Sequence, residues 1–516
     1  MKTFFNSSYL SGLFSPIILN PEILPTGKLA AFTYDLLVIG GGSGGLACAK
    51  RASEHNIDVA VCDFVTPSAT LGTKWGLGGT CVNVGCIPKK LMHTAALCGE
   101  TLHTFAPKYG WVSDQPARCD WGTLRENVLM HIKSLNFGYN VELRQKGVFY
   151  HNALASFDPI DTHTVHLRDA RGEVKSVTAR HIVLAMGGRP TIPLDCPGAR
   201  EHCITSDDLF RLEKDPGKTC VIGASYVALE CAGMLAGIGR STTVLMRSIP
   251  LRGYDRDMSE KVTSFMEEVS GVRFVKGVVP IRVEFDAAQG KRVVYWRSAD
   301  GSEAHDLFDT VLFAIGRTPE TKNMNLPVEL HPRSGKVIVD STLRTSIPHI
   351  YALGDILHGG LELTPVAIYQ GVQLASNICL SNHREISMDK VASTVFTPLE
   401  YGFVGLSEED AIEKYGEANI EVFHMKFNPL EWTVPHFGRD RCYTKVIVDT
   451  TDRVIGFHIL APNAGEITQG IAIAFRAGVT KAMLDETIGI HPTVAEEVTN
   501  LSVTKRSGVD PSKGNC

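Results

Sequence analysis

A glycine-rich turn that directly follows an apolar run constrains the fold of this chain more than any other feature. The turn is Gly40-x-Gly42-x-x-Gly45, between a strand predicted over 34–39 and a helix predicted over 46–55. Glycines at these positions allow a tight turn, a close approach of the backbone to a pyrophosphate, and close packing of helix on strand. The next predicted strand, 59–62, leads into Asp63, where a ribose hydroxyl needs an acceptor. We therefore expect a dinucleotide at this turn.

The same pattern recurs at Gly223-x-Ser225-x-x-Ala228. A strand is predicted over 219–222 before this turn, and a helix over 229–238 and a strand over 243–245 after it. The chain is therefore predicted to be α/β, with two Rossmann-like units that each bind a dinucleotide.

The second unit lacks an acid where the first has Asp63. Met246 stands there instead, followed by Arg247, Ser248 and Arg252. Guanidinium groups neutralise a 2′-phosphate that a carboxylate would repel, so this replacement favours NADP over NAD.

Two cysteines, Cys81 and Cys86, lie between the turns in a glycine-rich segment followed by lysines. Such a pair can close a small disulfide whose thiolate is favoured by positive charge or by a helix N-terminus. A zinc site would need two further Cys or His ligands at characteristic spacing, and no such second pair follows. Most of the thirteen cysteines stand singly in apolar segments, which argues against a secreted disulfide framework.

Composition excludes several classes of function. With 516 residues the chain is expected to form about three or four domains. Its net charge is −5 and it has no basic stripe, so no nucleic-acid partner is expected. No apolar run reaches the ~18 residues needed to span a bilayer, so no membrane association is expected either.

Over roughly 34–501 the sequence resembles the FAD- and NADPH-dependent disulfide reductase family, which covers glutathione reductase, dihydrolipoamide dehydrogenase and high-molecular-weight thioredoxin reductase. Besides the features above, the resemblance rests on the segments 185–190, 313–317 and 345–355. It implies FAD in the first unit and NADPH in the second. The implied FAD residues are Gly40, Gly42, Ser43, Gly45, Asp63, Thr80, Gly187, Gly354 and Asp355. The implied NADPH residues are Gly223, Ser225, Ala228, Arg247, Ser248, Arg252 and Gly316.

The resemblance also divides the chain. It implies an FAD-binding domain over 34–189 and 318–390, an NADPH-binding domain over 190–317, an α+β dimerisation domain over 391–502, and a flexible redox tail over 503–516.

Further catalytic residues follow from the resemblance. Cys86 corresponds to the flavin-side thiolate and Cys81 to the exchanging thiol. Lys89 and Glu230 resemble the charged pair beside the flavin, and Tyr226 the aromatic gate over the nicotinamide pocket.

His491 and Glu496 resemble the acid–base segment that each subunit donates to its partner's active site. This implies a homodimer whose two active sites are shared between the subunits.

The chain continues past this segment to Cys516, and the extension resembles the mobile redox tail of high-molecular-weight thioredoxin reductases. From Ser507 the last ten residues could extend about 33–36 Å. The family's tail carries Cys–Cys or Cys–selenocysteine and one more residue. We therefore expect either an unread selenocysteine position after Cys516 or a truncated form.

These features predict an NADPH-dependent enzyme that reduces the disulfide of thioredoxin. The alternatives are a glutathione reductase and a flavin-bound interaction protein without disulfide turnover. The presence of Arg247 and Arg252 disfavours a dihydrolipoamide dehydrogenase.

Residues 1–33 are rich in serine and contain no acid before Glu22. This composition is typical of a removable leader and suggests a mitochondrial protein, although the segment contains no arginine. The alternative is a disordered tail on a cytoplasmic protein.

Overall fold

The structure is a computed structural model and describes residues 32–388, 390–438 and 440–512. Most of the predicted leader therefore lies outside the described residues, and so does Cys516.

The first unit begins with a parallel sheet. Its elements are β1 (Tyr34–Ile39), α1 (Ser43–Ser53), β2 (Val59–Asp63), α2 (Gly79–Val84), α3 (Cys86–Glu100), α4 (Trp121–Gln145), β3 (Phe149–Phe157), β4 (Thr164–Asp169), β5 (Val174–Leu184) and β6 (Gly188–Pro190). Strands β3, β2, β1 and β5 pair in parallel in that order, and β4 joins β3 to β5 in antiparallel pairing. β1 and β2 are nearly continuous apolar runs, as is typical of strands inside a parallel sheet.

The second unit repeats this plan. Its elements are α5 (Ala199–His202), β7 (Ile204–Thr205), α6 (Ser206–Leu209), β8 (Thr219–Ile222), α7 (Tyr226–Gly237), β9 (Thr242–Met246), α8 (Arg256–Glu268), β10 (Arg273–Lys276), β11 (Val278–Asp286), β12 (Lys291–Ser298), β13 (Glu303–Phe308), β14 (Thr310–Phe313) and β15 (Arg317–Pro319). Its parallel sheet has the order β10-β9-β8-β14-β7, and β11, β12 and β13 form a separate antiparallel sheet.

The chain then returns to the first unit. β16 (Ile350–Ala352) pairs with β5 in parallel, and α9 (Thr364–Cys379) packs on α1. The second unit is thus inserted into the first, and β6 and β15 pair where the chain crosses between them.

The C-terminal unit is an antiparallel sheet with helices. Its elements are β17 (Ser393–Val395), β18 (Glu400–Gly405), α10 (Glu408–Tyr415), β19 (Ile420–Phe427), β20 (Cys442–Asp449), β21 (Val454–Ala461), α11 (Ala464–Ala477) and α12 (Lys481–Asp485). The strand order is β17-β18-β21-β20-β19. The predicted fold class, two Rossmann-like units and an α+β unit, is confirmed.

The predicted strands around both turns are present, but the two helices start three residues earlier than predicted, at Ser43 and Tyr226. The reason is that the turn residues themselves take up the first helical turn. None of the helices in the described part of the chain is long and apolar enough to cross a bilayer.

The segment 503–512 differs from the flexible arm predicted from the sequence. It lies along β19, the edge strand, where His424 N donates to Val503 O over 3.0 Å and Lys426 N donates to Pro511 O over 2.9 Å. Lys505 also pairs with Asp257 of α8 at 2.7 Å. The polar composition suggested a free arm, whereas this segment satisfies the backbone groups of an exposed sheet edge.

Candidate active site

A first cavity of about 170 Å³ lies where β1 and β2 end. Eight of the nine residues predicted for the first dinucleotide line it: Gly40, Gly42, Ser43, Asp63, Thr80, Gly187, Gly354 and Asp355. The ninth, Gly45, packs behind the turn, where a Cβ atom would lie 2.0 Å from the carbonyl oxygen of Gly40. Gly45 therefore permits close packing of α1 and does not face the cavity.

The backbone at this turn fits a diphosphate. Gly40 has φ +113°, and a Cβ there would lie 2.3 Å from the carbonyl oxygen of Ala185. Among the residues that the structure describes, no side chain caps the N-terminus of α1, so its first N–H groups are available to an anionic ligand. Asp63 accepts a hydrogen bond from Gly41 N at 2.9 Å. Burial raises the pKa of Asp63, and this hydrogen bond acts in the opposite direction.

A second, larger cavity of about 920 Å³ surrounds the turn after β8. Of the residues predicted for the second dinucleotide, five line it: Gly223, Ser225, Arg247, Ser248 and Arg252. Ala228 is completely buried behind the turn. Gly316 has φ +132° and lies between two lining residues of the segment 315–317.

Arg247 and Arg252 lie on the loop after β9, and both are exposed. Arg252 Nη2 donates to Ser248 Oγ at 2.9 Å. Arg247 and Arg252 thus present two guanidinium groups on one loop, an arrangement that fits a phosphate better than a free ribose hydroxyl.

The two cavities meet at the cysteine pair. Thr80, Cys81, Asp355 and Thr364 line both cavities, and Cys86 lines the second. Cys81 belongs to α2, whereas Cys86 is the first residue of α3. The pair is therefore positioned between the two predicted dinucleotide sites.

The environment of the pair favours a thiolate on Cys86. Both residues are free cysteines, and their side chains hydrogen-bond each other. This hydrogen bond, together with one from Thr364 and the charge of Lys89, lowers the pKa of Cys86 to about 6. The same hydrogen bond and burial raise the pKa of Cys81. Cys86 is therefore the more acidic thiol.

The predicted charged pair is formed. Lys89 Nζ lies 3.0 Å from Glu230 Oε1, and the Glu230 side chain is only 2% exposed. Glu230 Oε1 also accepts a hydrogen bond from Phe396 N of the C-terminal unit at 2.9 Å. Burial lowers the pKa of Lys89, but the charges of Glu230 and Cys86 outweigh this effect and the net shift is upward. Lys89 therefore remains a cation beside the cysteine pair.

Tyr226, the predicted gate, begins α7 and lines the second cavity. Burial raises the pKa of its hydroxyl, so this group is neutral at ordinary pH.

Two residues of the site were not predicted from the sequence. The Thr364 hydroxyl lies 3.5 Å from the Cys86 sulfur, and Arg317 Nη2 donates to Thr80 Oγ1 at 3.2 Å.

His491 and Glu496 form a pair away from the cysteines. His491 Nδ1 lies 3.0 Å from Glu496 Oε1, and the histidine side chain is 68% exposed. Neither residue lines either of the two cavities. One chain alone therefore does not bring this pair to the cysteines.

Comparison with known proteins agrees with this arrangement. The model of the family described as pyridine nucleotide-disulphide oxidoreductase matches residues 34–371. The model of the dimerisation domain of that family matches residues 391–502. A protein named thioredoxin reductase SEP1 from Emiliania huxleyi is 54% identical over 496 residues, which cover 94% of this chain and 98% of the relative.

Proposed function

Because the chain belongs to the pyridine nucleotide-disulphide oxidoreductase family, we propose that it is an NADPH-dependent thioredoxin reductase. The observation that carries this proposal is the position of Cys81 and Cys86 at the junction of two dinucleotide cavities. The 54% identity to a relative named thioredoxin reductase supports the choice of disulfide substrate.

FAD and NADPH are the cofactors of this family, and the residues present fit both. The turn around Gly40 and the carboxylate of Asp63 would hold the ADP half of FAD, with Asp355 nearer the flavin. The turn around Gly223 would hold the NADPH diphosphate, and Arg247 and Arg252 its 2′-phosphate. FAD, when bound, would supply the two-electron redox chemistry between NADPH and the protein disulfide.

The chain's own residues then carry the electrons onward. Reduction of the Cys81–Cys86 disulfide breaks its S–S bond and leaves two thiols, one of them ionised. The lowered pKa keeps the negative charge on Cys86, and Lys89 stabilises it. Cys81 gives its proton to the acid–base histidine and attacks the next disulfide, which breaks that S–S bond, forms a mixed disulfide and releases the other sulfur as a thiolate. Cys86 then attacks Cys81, re-forms the internal disulfide and releases the second sulfur as a thiolate. Each cycle thus transfers two electrons and restores the internal disulfide.

The protein acts as a homodimer with shared active sites. The match to a dimerisation domain supports the dimer. The exposed His491, held by Glu496, would serve the cysteine pair of the partner subunit and protonate the thiolate that leaves during exchange. A mixed dimer tests this sharing. One subunit carries Cys86→Ser and the other carries His491→Ala. If the sites are shared, one of the two sites in this dimer is intact, whereas without sharing each site lacks one of the two residues.

The tail supplies the last relay to thioredoxin. We expect Cys516 to work with an adjacent cysteine or selenocysteine, since a second sulfur or selenium must resolve its mixed disulfide. Intact mass and selenium content of the natural protein test this expectation. Residues 503–512 lie along β19, so an arm that begins at Val503 would have to detach from this strand.

The proposed activity is tested by NADPH oxidation with two disulfide substrates, oxidised thioredoxin and glutathione disulfide. We expect kcat/KM for thioredoxin to exceed that for glutathione disulfide by several orders of magnitude. A preference for glutathione disulfide would make the protein a glutathione reductase. Flavin binding without turnover of either disulfide would make it an interaction protein.

We also propose that residues 1–33 direct the protein to mitochondria. Fusion of this segment to a fluorescent protein tests the proposal. Fluorescence in the cytoplasm would contradict it and would make the segment a terminal extension of a cytoplasmic enzyme.

A further inference from the structure

The connection between β2 and α2, residues 64–78, forms part of the wall of the first cavity. The residues of this connection that line the cavity are Phe64, Val65, Thr66 and Trp75. Between them, the stretch 66–74 is mostly exposed, and Leu71 is 57% exposed. Apolar packing therefore does not hold this stretch in place.

A carboxylate of the second unit holds the middle of the stretch instead. Asp208 of α6 is 1% exposed and accepts hydrogen bonds from three hydroxyl groups of the connection. Ser68 Oγ lies 2.5 Å and Thr73 Oγ1 2.6 Å from Asp208 Oδ1, and Thr70 Oγ1 lies 2.5 Å from Oδ2. Thr205 N also donates to Oδ2, at 3.0 Å, and fixes the carboxylate itself.

The neighbouring carboxylate holds the two ends of the stretch. Asp207 Oδ2 lies 2.8 Å from Arg189 Nε, and this pair is nearly buried. Arg189 Nη1 donates to the carbonyl oxygen of Thr66 at 2.9 Å, and its guanidinium lies 4.5 Å from the centre of the Trp75 ring. Both cavity-lining ends of the stretch are thus tied to α6 through Arg189.

We propose that Asp208 is a positioning residue for FAD: it holds the connection 64–78 closed over the first cavity and thereby slows release of the cofactor. The proposal rests on the proposed function, since it assumes FAD in this cavity. Hydrogen bonds to an ionised carboxylate are stronger than neutral ones, and three of them converge here from a stretch that is mostly exposed. FAD retention is then controlled partly from the NADPH-binding unit.

The experiment measures the rate of FAD release from the holoenzyme by the rise of free-flavin fluorescence after dilution. We expect Asp208→Asn to release FAD about 10- to 100-fold faster than the wild type, because it loses the charge that the three hydroxyls bind. Thr70→Val should release FAD about 3- to 10-fold faster, because it lacks one hydroxyl. Thr70→Ser keeps that hydroxyl and should match the wild type.

Asp215→Asn is the matched control, since Asp215 belongs to the same unit but pairs with Arg240 and lines neither cavity. Its FAD release should equal that of the wild type. Equal release from Thr70→Val and Thr70→Ser would overturn the proposal, even if Asp208→Asn failed to fold. So would release from Asp215→Asn as fast as from Asp208→Asn.

Failure of the proposed function gives a different result. A wild-type protein that retains FAD but does not reduce thioredoxin refutes the substrate, whereas the release rates of the variants still decide the role of Asp208. Excess FAD should also restore NADPH oxidation in Thr70→Val, which a general folding defect would not allow.

Discussion

Removal of the guanidinium groups of Arg247 and Arg252 should weaken the use of NADPH and spare that of NADH. The two side chains lie on the loop after β9 and line the second cavity. Arg252 is held by Ser248 at 2.9 Å, so replacing Arg252 by Ala also frees the serine hydroxyl. We consider Arg247→Ala, Arg252→Ala and the double variant.

The magnitude follows from the exposure of the site. A hydrogen bond between charged groups contributes about 1.5–3 kcal/mol, and exposed pairs fall near the lower end. Each single variant should therefore lose about 1.5 kcal/mol, or roughly tenfold in kcat/KM for NADPH. The double variant should lose roughly 30-fold, less than the roughly 100-fold of full additivity, because both guanidinium groups bind one phosphate.

The assay is steady-state reduction of a small quinone, which avoids any dependence on the tail. kcat/KM for NADPH should fall as above while kcat/KM for NADH changes by less than about twofold, and added salt should reduce the difference. Arg297→Ala is the control, because Arg297 pairs with Glu303 at the surface of the same unit. Equal losses for NADPH and NADH in the double variant would refute the assignment of the 2′-phosphate site.

Three further predictions concern the electron path and the tail. Cys86→Ser should still allow NADPH to reduce the flavin but abolish thioredoxin reduction, which stopped-flow absorbance and steady-state turnover separate; retained turnover would contradict the relay. In the reduced apoprotein, the rate at which iodoacetamide alkylates Cys86 should be constant well above pH 6 and fall about tenfold per pH unit below it. The reason is that the lowered pKa of Cys86, about 6, keeps this residue a thiolate until the pH falls through that value. A rate profile with its midpoint near pH 8.5 would contradict this. Lys505→Gln removes the ion pairs to Asp257 and Glu408 and should speed amide exchange over 503–512, as mass spectrometry would detect; unchanged exchange would mean that the β19 contacts alone hold the segment.

Much of the site was predictable because it depends on short-range patterns. The turns around Gly40 and Gly223 combine strand, glycine and helix signals within about twenty residues, and the structure places these turns in two cavities. Cys81 and Cys86 were recognised by their spacing and their glycine-rich surroundings.

The rest depends on contacts between distant parts of the chain. Thr364 reaches the Cys86 sulfur across 278 positions, and Asp208 reaches Ser68 across 140. Neither residue has a local pattern that marks such a partner. The place of the segment 503–512 also depends on such a contact, since its polar composition does not reveal the edge strand that it covers.

In the proposed reaction, electrons of NADPH reach the Cys81–Cys86 disulfide. This step is tested by mass spectrometry of the two cysteines after alkylation, with and without anaerobic NADPH. We predict that the oxidised protein yields a Cys81–Cys86 disulfide peptide and that NADPH converts both residues to alkylated thiols. A disulfide that persists while the flavin is fully reduced would contradict the claim, as would two thiols that never pair in the oxidised protein.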